Sequence, residues 1–167
     1  MTKGKNAPKE SSAAYVGSFD PVTKGHEHVI EEGLKIFSKI YIGVGQSQSK
    51  SYVFSAEDRL AMLRELFAGD DRVEVHAFDG LSVNFAKRMG VQALLRGVRN
   101  QSDFNYEATM ALANNKLADE ISTIFIPARA EYLHISSSLV REIALSKGNL
   151  ASFVSPGIEK WISKKFR

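Results

Sequence analysis

Residues 14–26 read AYVGSFDPVTKGH, and the fold prediction starts from this stretch. The apolar run from Ala13 to Val16 is typical of a short buried strand. The chain then passes through Asp20-Pro21, a turn signal that disfavours helical backbone. Beyond the turn, apolar residues recur at helical spacing up to residue 37. The stretch therefore predicts a strand, a glycine-punctuated loop and a helix in succession.

The loop in this stretch is a candidate phosphate site. A helix N-terminus presents unpaired N–H groups and a partial positive charge, which favour an anion. Ser18 lies at the end of the predicted strand and His26 at the start of the predicted helix, so a hydroxyl and an imidazole meet there. An ordinary turn, in which Gly17 and Gly25 only relieve backbone strain, has the same pattern. The loop alone leaves both interpretations open.

Ser18 is predicted to donate a hydrogen bond to a phosphate and not to act as a nucleophile. A nucleophilic serine needs a base within hydrogen-bond reach and a third group that orients the base. The surrounding sequence also lacks the G-x-S-x-G pattern of a nucleophile elbow.

Three further cations follow predicted strands. Lys50, Arg96 and Arg99 lie just beyond strands, and ligands of open parallel sheets gather at the carboxyl ends of the strands. Arginine suits fork-like recognition of phosphate, and lysine acts as a mobile point charge. The cations thus favour a small phosphorylated ligand.

The motifs of this chain resemble those of the nucleotidyltransferase superfamily and, within it, the bacterial phosphopantetheine adenylyltransferases. The first motif is GSFDP at residues 17–21 followed by TKGH at residues 23–26. The family usually has threonine where Ser18 stands, but the hydroxyl is retained. The further motifs, in the family's order and spacing, are Ser49-Lys50, LRGVR at 95–99, DFNYE at 103–107 and ISSSLVR at 135–141.

The resemblance implies transfer of an adenylyl group from ATP to 4′-phosphopantetheine. The expected products are dephospho-coenzyme A and pyrophosphate, formed by direct in-line displacement. It further implies Mg²⁺ carried on ATP, coenzyme A as a candidate feedback ligand, and a homohexamer.

The resemblance also assigns roles to individual residues. The expected catalytic residues are His26, Ser18, Lys50 and Arg99. The expected residues of the acceptor site are Ser18, Lys50, Ser82 and Arg96. The expected ATP-binding residues are Ser18, Phe19, His26, Gly97, Val98, Arg99, Glu107, Tyr132, Leu133, His134, Ile135, Ser136, Ser137 and Ser138.

Strands alternate with helices along the whole chain, which predicts βαβ units and a parallel sheet. The later predicted strands are Ile40–Val44, Val73–Phe78, Ala93–Leu95 and Ile121–Ile126. The fold class is a Rossmann-like α/β fold with a five-stranded parallel sheet, helices on both faces and a helical C-terminal tail. Met1 to Ser12 is polar and predicted to be a flexible extension, followed by a single domain over residues 13–167.

Composition bounds the remaining possibilities. The chain has no cysteine, which excludes disulfides and thiolate metal sites and agrees with the expected cytoplasmic location. No metal site is predicted, because His26 and His28 are two residues apart and match no zinc spacing. His28 is predicted to lie on a solvated helix face.

Neither a nucleic acid nor a membrane is predicted as a partner. The formal net charge is only +3, and many basic residues stand near the two ends of the chain. Nucleic-acid binding calls for basic residues interleaved with exposed aromatic side chains. No apolar run approaches the roughly 18 residues of a membrane span.

Two other functions share part of the motif set. A sister enzyme that adenylylates nicotinate mononucleotide, or transfers a cytidylyl group, would share the first and last motifs. The LRGVR motif and the Tyr106-Glu107 pair argue against that alternative. A non-catalytic nucleotide sensor on the same fold would not need His26.

Overall fold

A computed structural model describes residues 11–46 and 51–166 of the 167-residue chain. The five strands are β1 (Ser12–Gly17), β2 (Lys39–Gln46), β3 (Val73–Asp79), β4 (Ala93–Val98) and β5 (Ser122–Pro127). The six α-helices are α1 (Lys24–Gly33), α2 (Ala56–Leu66), α3 (Ser82–Met89), α4 (Gln101–Leu117), α5 (Ser137–Leu145) and α6 (Pro156–Lys165). A short 3₁₀ turn, Ala130–Tyr132, precedes α5.

The five strands form one parallel sheet in the order β3-β2-β1-β4-β5. Strand order reverses beside β1, because β2 and β3 extend to one side of it and β4 and β5 to the other. Ligands of open α/β sheets bind at such a switch point, beyond the carboxyl ends of the strands. The predicted Rossmann-like fold is confirmed, and it places the first motif next to the LRGVR motif.

Side-chain alternation along β1 divides the core into two layers. Ala13 and Tyr15 face the layer built with α1, α2, α5 and α6, and Ala14 and Val16 face the layer built with α3. Strands covered on both faces are expected to be continuously apolar, as this run is.

The helix termini follow local capping chemistry. Ser55 is the N-cap of α2, and its hydroxyl accepts a hydrogen bond from the Asp58 N–H at 3.1 Å. Helix α3 ends at Gly90, whose φ of 69° lies in the left-handed region that glycine adopts without strain.

The interpretation of His28 as a solvated residue is wrong. Its side chain is only 2% exposed, and Nε2 lies 3.2 Å from the carbonyl oxygen of Pro127. Its ring packs on Tyr132 at 5.3 Å between centroids. β5 and the turn that follows it cover the side of α1 that carries His28, so the residue does not face solvent.

The first strand begins one residue inside the predicted N-terminal extension. Ser12 opens β1, and the carbonyl of Ser11 accepts hydrogen bonds from the Ser38 N–H and hydroxyl, each at 2.8 Å. Residues 1–10 lie outside the described residues. Within the described ranges, no helix has both the length and the apolar character needed to cross a lipid bilayer.

Packing at Gly43, in the middle of β2, leaves no room for a side chain. A Cβ there would lie 2.9 Å from Phe85 and from Val16 and 3.0 Å from Phe78. We expect Gly43→Ala to cost about 1–3 kcal/mol through overpacking, and so to lower Tm by several degrees. Gly69→Ala is the control, because a Cβ there meets nothing within 4 Å. Equal melting temperatures for the two variants in thermal unfolding would contradict this account of the core.

Candidate active site

A cavity of about 590 Å³ opens beyond the carboxyl ends of β1 and β4. Most of the site residues expected from the sequence line it. These are Ser18, His26, Ser82, Arg96, Gly97, Val98, Arg99, Glu107, Tyr132, Ile135, Ser136 and Ser137. The fold thus brings four separate motifs to one place at the switch point of the sheet.

Four of the other five expected residues lie outside the walls of this cavity. Phe19 and Ser138 line a smaller adjoining pocket together with His26 and Ser18. Leu133 and His134 are exposed outside the walls of the main cavity, and the His134 ring packs against Phe153. Lys50 lies outside the described residues, so its role stays a prediction.

His26 is the third residue of α1, and its position fixes the state of its ring. The Thr23 N–H donates to Nδ1 at 3.0 Å, so Nδ1 acts as an acceptor. In the neutral ring, the proton must then be on Nε2. The imidazole that lines the cavity therefore offers one N–H donor.

The surroundings of His26 keep the ring neutral. Burial, together with the positive charges of Arg99 and Arg96, lowers its pKa to about 4. Both causes disfavour the imidazolium form. Near pH 7 the residue is a hydrogen-bond donor without charge, and it does not serve as a general acid.

Phe19 supports the imidazole from the loop side. Its ring contacts His26 at 5.1 Å and Tyr15 at 5.4 Å between centroids, in edge-to-face arrangements. The side chain is 1% exposed, and its φ of 50° lies in the left-handed region that non-glycine residues rarely adopt. Burial of the ring offsets this backbone cost, so Phe19 helps to orient His26.

Two arginines, Arg96 within β4 and Arg99 just after it, are each held by a carboxylate of α4. Arg96 donates through Nε to Glu107 at 2.6 Å and through Nη2 to the second oxygen of the same carboxylate. Arg99 donates to the two oxygens of Asp103 at 2.8 and 3.2 Å. An expected acceptor-site residue, Arg96, and an expected nucleotide-site residue, Glu107, thus share one ion pair.

Gly97, between these arginines, is required by packing of the protein itself. A Cβ at this position would lie 2.8 Å from Cγ2 of Val29. The family resemblance places Gly97 among the expected ATP-binding residues. The contact with α1 gives a second reason for glycine at this position.

The serines before α5 combine capping with the wall of the cavity. Ser136 is the N-cap, and its hydroxyl accepts from the Leu139 N–H at 3.1 Å. Ser137 donates to the carbonyl of Pro21 at 2.8 Å, which fastens α5 to the first loop. The free N–H groups of the first turn of α5 remain directed at this end of the helix, where an anion is favoured.

Asp20 links three segments of the site. Its two carboxylate oxygens accept from the backbone N–H groups of Val53 and Phe54 at 2.9 and 2.8 Å. Arg141 of α5 donates to the carbonyl of Asp20 at 2.6 Å and lies 3.4 Å from its carboxylate. From the sequence, Asp20 was expected only as part of a turn within the GSFDP motif.

Arg59 was not among the site residues expected from the sequence. It is 1% exposed, and its guanidinium reaches the carbonyl of Ser18. A signal was present, because Arg59 lies one helical turn before the buried Met62 and Leu63 and is therefore on the core side of α2. A lone charge on an apolar helix face points to a specific polar partner.

Within residues 11–46 and 51–166, no group of three or more His, Cys, Asp or Glu side chains is placed to hold a metal ion. A Mg²⁺ ion held only by side chains finds no such set of ligands there. The donors around the cavity are cations, hydroxyls and N–H groups, which suit phosphate oxygens.

The lowered pKa of His26 predicts a pH dependence of stability. An unfolded histidine titrates near 6.5, so between about pH 6.5 and pH 4 the unfolded chain takes up a proton that the folded protein does not. The contribution of His26 to the free energy of unfolding is therefore full above pH 6.5 and declines as the pH falls toward 4.

His26→Gln tests this linkage, because glutamine at the third helical position can keep the capping contact and does not titrate. We expect the wild type to lose several degrees more of Tm than the variant between pH 7.5 and pH 5, at roughly 2–4 °C for each kcal/mol. Equal losses in the two proteins would show that His26 does not have the lowered pKa.

A family model described as cytidylyltransferase-like matches residues 14–143. A solved structure described as a putative nicotinate-nucleotide adenylyltransferase from Vibrio parahaemolyticus has a similar fold. Its TM-score is 0.69 at 12% sequence identity, with 94% of this chain and 91% of that chain covered. At this identity the likeness concerns the fold alone.

Curated relatives are much closer in sequence. Phosphopantetheine adenylyltransferase of Desulforudis audaxviator is 44% identical over 154 residues, covering 92% of this chain and 94% of the relative. The enzyme of the same name from Anaeromyxobacter dehalogenans is 40% identical over 154 residues, with the same coverage. The chain therefore belongs to the cytidylyltransferase-like family and, within it, to the phosphopantetheine adenylyltransferases.

Proposed function

We propose that this protein transfers the adenylyl group of ATP to 4′-phosphopantetheine and releases dephospho-coenzyme A and pyrophosphate. The observation that carries the proposal is the placement of His26. Its neutral imidazole offers an N–H donor at the start of α1, in the cavity where four family motifs meet. The names of the curated relatives identify the same reaction.

The proposed reaction is a direct displacement at the α-phosphorus. An oxygen of the acceptor phosphate attacks, a new P–O bond forms, and the bond to the bridging oxygen breaks as pyrophosphate takes the electron pair. The nucleophile is already an anion, so catalysis consists of positioning and stabilisation of charge. No covalent intermediate with the enzyme is needed.

Each group of site residues has a part in this scheme. The Nε2–H of His26 and the hydroxyl of Ser18 donate to oxygens of the phosphorus under attack. Arg96 and Lys50 hold the acceptor phosphate. Arg99 and the N-terminus of α5 hold the leaving pyrophosphate, for which an arginine fork and free N–H groups are suited.

Magnesium is proposed to enter on the phosphates of ATP. This follows from the chemistry of Mg²⁺, which keeps several waters and binds substrate phosphates readily. Bound in this way, it would neutralise phosphate charge, and the residues named above would position the reacting groups. A cytoplasmic location and feedback by coenzyme A stay predictions.

The test of the proposed function is pyrophosphate release with two acceptors, 4′-phosphopantetheine and nicotinate mononucleotide. We expect turnover only with the first. His26→Ala should lower that turnover by about 100-fold or more, as for loss of one transition-state donor, and leave ATP affinity nearly unchanged.

The matched control is His76→Ala, which removes a histidine of β3 that is outside the cavity wall. Preference for nicotinate mononucleotide would instead identify the sister activity. Wild-type turnover in His26→Ala would remove His26 from the mechanism.

We also propose that the protein assembles into a homohexamer through α4. The number six comes from the family resemblance, and the surface comes from the structure. Helix α4 has 17 residues and none of them is buried. Large apolar side chains on it are exposed, namely Phe104, Tyr106, Met110, Leu112 and Leu117. Apolar surface of this extent on one helix is typical of an interface.

Leu112→Asp should lower the mass measured by light scattering, because it places a charge in the proposed interface. Leu145→Asp is the control, since Leu145 lies on α5 and both leucines are 70% exposed. If Leu112→Asp keeps the wild-type mass, or if both variants dissociate alike, α4 is not the interface.

A further inference from the structure

Arg59 of α2 is buried against the backbone of the candidate active site. Its Nη1 donates to the carbonyl of Ser18 at 2.7 Å and to the carbonyl of Gly45 at 3.0 Å. Its Nε donates to the carbonyl of Ser55 at 3.3 Å, and its guanidinium stacks on the ring of Tyr52 at 4.1 Å. One side chain therefore joins the loop after β1 to the end of β2.

Arg59 also differs from the other arginines near the site in how its charge is paired. Three of them are each paired with a carboxylate. The pairs are Arg96–Glu107, Arg99–Asp103 and Arg141–Asp20. In the described part of the chain, no carboxylate oxygen lies within 4 Å of the Arg59 guanidinium nitrogens.

An unpaired buried charge is costly, and carbonyl oxygens compensate it only in part. An anion that binds close to the guanidinium would offset this cost of burial. Arg59 lies directly behind Ser18, whose hydroxyl is the expected phosphate donor, so a phosphate at the loop would complete the missing ion pair across the backbone. Such a charge acts through a low-dielectric interior and is screened only weakly by salt.

We propose that Arg59 is a positioning residue for the phosphate groups of the nucleotide. It holds Ser18 against the end of β2, and it supplies uncompensated positive charge behind the loop between β1 and α1. The proposal rests on the proposed function, because it assumes that a nucleotide binds in this cavity.

Binding of ATP and of adenosine to Arg59→Met separates this role from simple support of the fold. Methionine fills similar space without charge or donors. We expect the dissociation constant of ATP to rise about tenfold, the loss of one interaction with a charged group. The dissociation constant of adenosine, which has no phosphate, should change by less than about twofold on the same scale.

Arg64→Met is the matched control, because Arg64 is an exposed arginine of the same helix that donates to the carbonyl of Val75. We expect it to bind both ligands like the wild type. Equal losses of ATP and adenosine affinity in Arg59→Met would overturn the proposal, as would no loss of either.

Arg59→Lys provides a second test in case the methionine variant does not fold. Lysine keeps the charge but lacks the fork that reaches several carbonyls. ATP affinity should stay within about threefold of the wild type, while kcat for pyrophosphate release falls by about tenfold. Wild-type kcat in this variant would overturn the positioning role.

The two proposals fail in different ways. A wild-type protein that binds ATP but releases no pyrophosphate with 4′-phosphopantetheine contradicts the proposed function. Calorimetric binding of ATP and adenosine needs no acceptor, so the comparison between the Arg59 variants still decides the role of that residue.

Discussion

The geometry of the site depends on one buried carboxylate, that of Asp20. The residue is 3% exposed, and burying an unpaired carboxylate would cost several kcal/mol. Two backbone N–H groups, from Val53 and Phe54, and the guanidinium of Arg141 satisfy it instead. Because these partners come from the loop after β2 and from α5, the carboxylate fixes three segments that are far apart in the sequence. Loss of any one contact would leave a buried charge underbonded, so the segments are expected to hold their arrangement together.

Charge around the cavity is arranged before any ligand arrives. The ion pairs of Arg96 and Arg99 hold both side chains in place, and the two arginines also lower the pKa of His26. Donors that are already oriented need no reorganisation when negative charge develops on a reacting phosphate. The His26 imidazole stays neutral beside these two arginines, because a third positive charge in the same space would be costly. The arginines thus have two effects. Their charge favours an anion in the cavity, and it keeps the His26 imidazole neutral, with its proton on Nε2.

The fold was predictable from the sequence because its strands are short and β1 is a continuous apolar run buried on both faces, with segments of helical period between the strands. The site was predictable where a motif stands next to a strand end, as at Ser18 and Arg96. Residues that support the site without lining the cavity were not predictable from the sequence. Arg59 and His28 belong to no motif, and their roles follow from contacts with the carbonyls of distant residues, Ser18 and Pro127, which sequence spacing does not reveal. Local patterns identify groups that face a ligand, whereas tertiary contacts decide which polar groups support them.

The TKGH motif at residues 23–26 both caps α1 and fixes the protonation of the His26 ring. A capping box normally uses glutamate or glutamine at the third helical position to accept from the N-cap N–H. Here His26 takes that place and accepts from Thr23, so the contact that starts α1 also puts the ring proton on Nε2. Gly25, between them, is not demanded by packing, because a Cβ there would meet only the Thr23 hydroxyl at an ordinary 3.6 Å. The space it leaves is at the helix N-terminus beside the cavity, where a phosphate would approach the free N–H groups. Within four residues, the motif therefore sets the start of α1 and the tautomer of the His26 imidazole, and it leaves the helix N-terminus open beside the cavity.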